Sequence, residues 1–358
     1  MHKLTNKFRK LFLAAATIST AGLLAGCGVS ASGVESDNSG VTESQSEAND
    51  SEQNYAGSDS QKLQIVATIF PEYDWVKEIL GDQAENVDLT LLLGNGTDMH
   101  SFQPTMEDIL KVSTCDLFIY VGGESDSWVA DALKGAGNPD RKAINLMDVL
   151  GDQVKEEELV EGMQEEDGHT HEEEHTHDDD LEYDEHVWLS LKNASLFCDT
   201  IASSLADADP EHSRLYQQNA EAYEEKLAAL DQEYQTSVEK SQSKTLLFAD
   251  RFPFRYLIDD YNLTYYAAFA GCSAETDASF ETITFLAGNL DELNLPAVLT
   301  IENSDQKVAK AVIENTNTKD QKILTLNSMQ SVTTKDVEEG TTYLSIMENN
   351  LQILKEAL

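Results

Sequence analysis

The chain has 358 residues, 41% hydrophobic and 25% charged, enough apolar surface for about two packed domains and too little for a multi-span membrane protein. Acidic residues outnumber basic ones 66 to 24, a formal charge of −42. A phosphate backbone would be repelled wherever it approached, which excludes nucleic acid as a partner; cations are the compatible ligands, held by local acid clusters because salt screens charge beyond about 8 Å.

Residues 1–27 read as an export signal, in which Lys3, Lys7, Arg9 and Lys10 precede an apolar run from Leu11 to Leu24 that is shorter than a membrane span. The run ends in Leu24-Ala25-Gly26-Cys27, which resembles the bacterial lipobox and implies lipidation of Cys27 and anchoring outside the cytoplasmic membrane. Residues 28–61 are rich in Ser, Gly, Asp, Glu and Asn and nearly lack large apolar side chains, so they are expected to be a disordered tether. The remaining cysteines, Cys115, Cys198 and Cys272, show no zinc-knuckle spacing, and a Cys198–Cys272 or other pairing stays open.

From Leu63 onward, strand-like apolar runs alternate with amphipathic helices: strands over 63–70, 87–93 and 116–121, with helices over 72–80 and 105–113 between them. That order implies parallel strands with helical crossovers. A second unit of the same kind has strands over 245–249, 297–301 and 323–326 and helices over 253–261, 280–294, 306–315 and 337–356. Between them a helix over 211–240, after Pro210 and with Asp209 as its cap, would be roughly 45 Å long. The expected fold class is α/β: two similar lobes with central, mainly parallel sheets, bridged by one long rigid helix. The first lobe spans 62–207 and contains an acidic, His-rich loop over 156–183; the linking helix lies within 208–242 and the second lobe is 243–358.

The eight histidines are unevenly spread. His2 lies in the signal and His212 at the start of the long helix, and neither suggests a role. His169, His171, His175 and His177 form two His-x-His pairs among carboxylates, in a segment without apolar periodicity. Imidazole nitrogens and carboxylate oxygens together make a donor set that zinc accepts, so this loop is expected to bind metal weakly and exchangeably. His186 sits where the loop meets the apolar Val187-Trp188-Leu189, and His100 follows the Gly94-Asn95-Gly96 break at a strand's carboxyl end, where open parallel sheets bind ligands.

Thr97-Asp98-Met99-His100-Ser101-Phe102-Gln103-Pro104-Thr105, then the His/Asp/Glu-rich loop, then Glu185-His186-Val187-Trp188-Leu189, resembles the zinc and manganese solute-binding proteins of ABC importers (ZnuA-like, cluster A-I), over essentially Leu63 to Leu358. The resemblance implies metal bound in the cleft between two α/β lobes, with His100 and His186 as ligands, and delivery to a membrane permease. The family's third ligand falls on Arg251, which stays protonated and has no acceptor. Asp250 beside it, Glu302 ahead of Asp305 at a predicted strand end, or the His-rich loop would then complete the sphere. Such a nitrogen/oxygen set suits Zn2+ well and Mn2+ passably, and the His-rich loop, by resemblance, favours zinc. The expected molecule is a lipid-anchored monomer and not an enzyme. A secreted zinc hydrolase is the rival reading, but neither a His-Glu-x-x-His nor a Gly-x-Ser-x-Gly arrangement nor a P-loop occurs. A surface adhesin with a purely structural metal is the other.

Overall fold

Runs such as Leu63-Gln64-Ile65-Val66-Ala67 form strands because a sheet covered on both faces accepts apolar side chains at successive positions. The computed structural model describes residues 62–358 apart from 136, 165–182 and 272–276. The first half comprises β1 (Leu63–Ala67), α1 (Phe70–Leu80), β2 (Val87–Leu91), α2 (Met106–Thr114), β3 (Leu117–Tyr120), α3 (Val129–Leu133), β4 (Lys142–Asn145), α4 (Leu146–Leu150) and α5 (Leu191–Ala208). The long helix α6 (Ser213–Lys240) leads into β5 (Thr245–Phe252), α7 (Arg255–Asp260), β6 (Thr264–Ala270), α8 (Phe280–Leu293), β7 (Ala297–Thr300), α9 (Lys307–Glu314), β8 (Lys322–Thr325), α10 (Thr334–Glu338) and α11 (Tyr343–Ala357).

The strands build two sheets of the same topology, β2-β1-β3-β4 and β6-β5-β7-β8, with every pairing parallel. Alternate residues of each central strand face different cores. Ile65 joins the large shared core and Val66 the outer layer under α2 and α3; Phe248 joins the shared core and Leu247 the outer layer under α8 and α9. The shared core runs without interruption from the first sheet through Tyr216, Tyr223, Leu227 and Tyr234 of α6 to Leu351 and Leu354 of α11. The linking helix is therefore packed along one stripe against both halves, as its incomplete apolar pattern requires.

Polar contacts reinforce that packing. Asp74 of α1 accepts from the Tyr343 backbone N–H at the start of α11 at 2.8 Å, and the Tyr343 hydroxyl donates to the Trp188 carbonyl at 2.7 Å. Trp188 Nε1 donates to the Ser328 carbonyl at 2.9 Å.

Several expectations need correction. The closing helix is two helices, α10 and α11, because Gly340 between them adopts φ +96°, a left-handed conformation that glycine takes at no steric cost. Asp209 is the C-terminal cap of α5 and does not cap α6; its carboxylate accepts from Tyr216 Oη and contacts His212 Nδ1, both at 2.7 Å. Strand β6 and the β4–α5 stretch were not among the expected elements, and the strand expected over 63–70 ends at Ala67, where Phe70 and Pro71 open α1. Cys115 and Cys198 are buried and free, and Cys272, like Cys27 and the tether, lies outside the described residues. Among the described residues no helix is long and apolar enough to cross a membrane.

Three carboxyls buried in the first lobe make the largest contribution to the pH response of the fold, against a smaller opposite one from His100, which is held below the ordinary histidine value. Burial pushes Glu72 up to about 8, Asp74 to about 7 and Asp126 to about 6; Glu72 is further raised by the Asp126 charge. Each folded value lies above the unfolded one, so the folded state binds more protons, and stability falls as pH rises from about 4 through about 8. The melting temperature should therefore be at least about 5 °C higher at pH 5.5 than at pH 8.5. Self-repulsion at high net charge acts in the same direction, but Asp74→Asn isolates the carboxyl. It keeps an acceptor for Tyr343 N–H and should raise the melting temperature at pH 8.5 with little effect at pH 5.5. A variant no more stable than wild type at pH 8.5 would contradict this assignment.

Candidate metal site between the sheets

His100 is placed by the break that ends β2. After Leu91 the chain turns through Gly94-Asn95-Gly96, and Asp98 caps a short 3₁₀ turn over Met99–Ser101 by accepting from His100 N–H at 3.1 Å. His186 opens a second 3₁₀ turn, Val187–Leu189, whose three apolar side chains are buried. The ring itself is completely buried, because Gly271 at the end of β6 lies directly over it. A Cβ there would sit 3.1 Å from His186 Cε1 and 2.8 Å from the Phe252 carbonyl oxygen, so a larger residue cannot follow the same path.

The two imidazoles converge, with 3.3 Å between their Nε2 atoms. Two nitrogens bound tetrahedrally to one zinc ion at about 2.05 Å are about 3.3 Å apart, so the pair already has the spacing of two cis ligands. Each ring is oriented from behind. His186 Nδ1 lies 3.0 Å from Asp184 Oδ1, which also accepts from His186 N–H at 2.8 Å. His100 Nδ1 is 2.9 Å from Ser125 Oγ and 3.6 Å from Glu185 Oε2, and Glu185 Oε1 accepts from Ser125 N–H at 2.9 Å. A carboxylate behind an imidazole fixes its tautomer and makes the distal nitrogen a better donor. Asp184 is in turn tied to the second lobe, where Tyr256 Oη donates to its carbonyl at 2.9 Å.

Burial, then the neighbouring His186, pushes His100 down to about 4, which keeps it neutral, the form that ligates. Burial also acts to lower His186, but the Asp184 carboxylate outweighs it, with Glu185 and Asp98 adding, and the result lies above the ordinary histidine value. Burial acts to raise Asp98, and the charges of His100 and Arg251 more than offset it, leaving Asp98 below the usual carboxylate range.

The opposite wall comes from the carboxyl ends of β5 and β7. Together with Asp98 it encloses a cleft of about 490 Å³ lined by Asp250, Arg251, Glu302 and Asp305. Arg251 follows an irregularity in the pairing of β5 with β6, and its guanidinium meets Asp98 across the cleft at 2.9 Å. Asp250 accepts from Arg251 N–H at 2.9 Å through Oδ1, while its Oδ2 is buried without a partner. Glu302 holds the segment after β8: it accepts from Ser328 N–H at 2.7 Å, Ser328 Oγ at 2.8 Å and Gln330 N–H at 3.0 Å. Asp305 accepts from Lys307 N–H at the start of α9 and pairs with Lys307 Nζ.

Thus His100 and His186 are brought together, whereas Asp250 and Glu302 share the cleft wall and are engaged elsewhere. Among the described residues no three His, Cys, Asp or Glu side chains are gathered to hold one ion. His169, His171, His175 and His177 lie outside the described residues. Gln330 was not anticipated. With its amide nitrogen toward Asp98 it donates to both carboxylate oxygens at 3.0 Å and accepts from His186 Nε2 at 3.0 Å, joining both walls. Its neighbours Ser328-Met329-Gln330 carry no recognisable motif, so only the fold could reveal it.

Comparison with known proteins bears on this arrangement. Residues 65–357 match the family model ZnuA, described as zinc-uptake complex component A, periplasmic. The zinc-binding lipoprotein AdcA of Streptococcus pneumoniae serotype 4 is 33% identical over 295 residues, covering 82% of this chain and 56% of that protein. The chain thus spans little more than half of the streptococcal relative. The high-affinity zinc uptake system protein ZnuA of Bacillus subtilis strain 168 is 31% identical over 310 residues, covering 87% of this chain and 92% of that protein. Among solved structures, the Zn(II)-bound ZnuA-like domain of Streptococcus pneumoniae AdcA superposes with a TM-score of 0.63 at 27% identity, covering 83% of this chain and 99% of that one. Matched over most of its length by the family model and by relatives above 30% identity, the chain belongs to the ZnuA family.

Proposed function

We propose that this chain is an extracytoplasmic zinc-binding lipoprotein that holds one Zn2+ in the cleft between its lobes and delivers it to the membrane permease of an ABC importer. The observation that carries the proposal is the His100–His186 pair, two imidazoles 3.3 Å apart, backed by Ser125 and Asp184 and adjoining, through Asp98, a cleft whose other wall carries Asp250 and Glu302. Two nitrogen donors favour zinc over manganese, which prefers oxygen. The relatives named for zinc binding and zinc uptake agree with that choice.

Glu302 is the preferred donor from the second lobe and Asp250 the next. Glu302 would have to release Ser328 and Gln330, and that exchange gives the site a natural way to open. When the ion binds, Gln330 loses its contact with His186 Nε2, because the metal takes the place of the Nε2 proton that Gln330 accepts. When the second lobe shifts, the second-lobe carboxylate withdraws and the remaining imidazole pair holds the ion less tightly. Cys27 anchors the chain by lipid, and the monomer suffices because both histidines come from one chain. The His169/His171/His175/His177 segment recruits ions weakly.

Zinc titration of the full chain against a chromogenic chelator tests this. One tight site plus weaker equivalents is expected, and deletion of residues 165–180 should remove only the weaker ones. Absence of any tight site in the full chain would refute the function, and loss of the tight site on deletion would make the loop the primary donor.

A further inference from the structure

The two most exposed large hydrophobic side chains among the described residues are Met106, 84% exposed, and Phe280, 76% exposed. Isolated exposed apolar residues are ordinary. These two are related by the internal duplication of the fold. Met106 is the first residue of α2, which crosses from the edge strand β2 to β3, and Phe280 is the first residue of α8, which crosses from the edge strand β6 to β7. The local sequences correspond as well: Thr105-Met106-Glu107 and Ser279-Phe280-Glu281 each place a hydroxyl cap, a large apolar residue and a glutamate in order. Thr105 Oγ1 accepts from Asp108 N–H at 3.2 Å and Ser279 Oγ accepts from Thr282 N–H at 3.0 Å, so each cap is fixed and each apolar side chain is held outward. Leu110, one helical turn beyond Met106, is 60% exposed and extends the first knob.

Each knob follows a segment that borders the cleft: Ser101, five residues before Met106, lines it, and so does Phe269 of β6, the strand before Phe280. The segment before α2 carries His100 and Asp98, and the segment before α8 leaves β6 through Gly271, which covers His186. Neither side chain stabilises the fold where it is, yet the same feature occurs at the same place in both lobes. Acids flank the knobs: Glu107 and Asp108 on one side, Asp277 and Glu281 on the other, and the nearby cations are already paired, Lys111 with Glu107 at 2.9 Å and Lys307 with Asp305.

We propose that Met106, with Leu110, and Phe280 are a matched pair of docking knobs through which the two lobes seat on the extracytoplasmic face of the membrane permease, in apolar sockets rimmed by basic side chains. The occupant follows from position and charge. Whatever receives the ion must cover the cleft mouth and therefore meets both rims. A second copy of this chain, formally −42, would set acid against acid. This inference rests on the importer function proposed above.

The test uses the full lipidated chain, wild type or carrying Met106→Ser, Phe280→Ser or both, as the sole copy in zinc-limited cells, with uptake of radioactive zinc as the readout. Purified variants are measured for zinc affinity and melting temperature, which should stay at wild-type values. Each single variant should slow uptake by about tenfold, as loss of an apolar anchor does, and the double variant should bring it to background. Met106→Leu and Phe280→Tyr should restore it. Unchanged uptake in the double variant would overturn the proposal, as would a deficit confined to one knob. So would sedimentation showing a wild-type dimer that the double variant dissolves, since the surface would then join copies of the chain. Failure of the wild-type protein to bind zinc or support uptake would instead remove the importer function itself, so the two failures are distinguishable.

Discussion

Replacing His186 with alanine should lower zinc affinity by at least about 100-fold, because loss of a partner merely behind a metal ligand already costs about 10–100-fold and here the proposed ligand itself is lost. The ring is fully buried and packed under Gly271, so alanine also leaves a cavity, and the melting temperature should fall. His186→Gln fills most of that space and separates the two effects: affinity should stay low while stability recovers. His100→Ala should lose affinity comparably with a smaller thermal cost, since His100 is only partly buried. Asp184→Asn grades the series. Its backbone carbonyl still accepts from Tyr256 Oη, so the lobes stay joined, but the charge that orients and strengthens His186 is gone, and a loss of about tenfold is expected. Competition with a chelator of known affinity measures all four. Affinity within threefold of wild type for both His186→Ala and His100→Ala would sink the site.

The chain's pattern exposed some of this readily and other parts not at all. Strands β1, β2, β3, β5, β7 and β8 and the long helix were legible because each is a run of apolar residues or a stripe at helical spacing that ends in a turn signal. β4 was not, since Lys142-Ala143-Ile144-Asn145 is four residues long with a polar residue at each end. β6, Thr264–Ala270, mixes tyrosines with alanines and follows a helix without a strong break, so its register emerges only from pairing with β5. Within the candidate site, His100 and His186 stood out as histidines next to structure-breaking or apolar segments. Asp184 and Glu185 were in view as neighbours, but their separate tasks, one behind each imidazole, depend on a backbone that turns the two side chains in different directions. Ser125 and Gln330 could not be read at all: each reaches the site from a distant segment, and a lone serine or glutamine carries no signal.

The residue most at odds with a metal site is Arg251, and replacing it with histidine should tighten zinc binding by at least about tenfold. The guanidinium stands in the cleft wall at the place where the family resemblance puts a ligand, and it neutralises Asp98, the carboxylate that caps the turn carrying His100. A fixed positive charge beside the site opposes a divalent ion, as it already acts against a positive charge on His100, although Asp98 screens it. Arg251→His removes that opposition and adds a nitrogen donor, while Arg251→Met removes the charge and adds none. The expected order of affinity is histidine above methionine above arginine. Equal gains for histidine and methionine would mean that position 251 acts through charge alone. A loss of affinity in both would overturn the argument and show that the Arg251–Asp98 bridge holds the cleft walls in binding position. Transport should run the other way from capture. If the ion leaves for a permease as proposed, the tighter Arg251→His protein is expected to load at lower zinc yet deliver more slowly once zinc is plentiful, so the arginine would serve to keep a captured ion releasable.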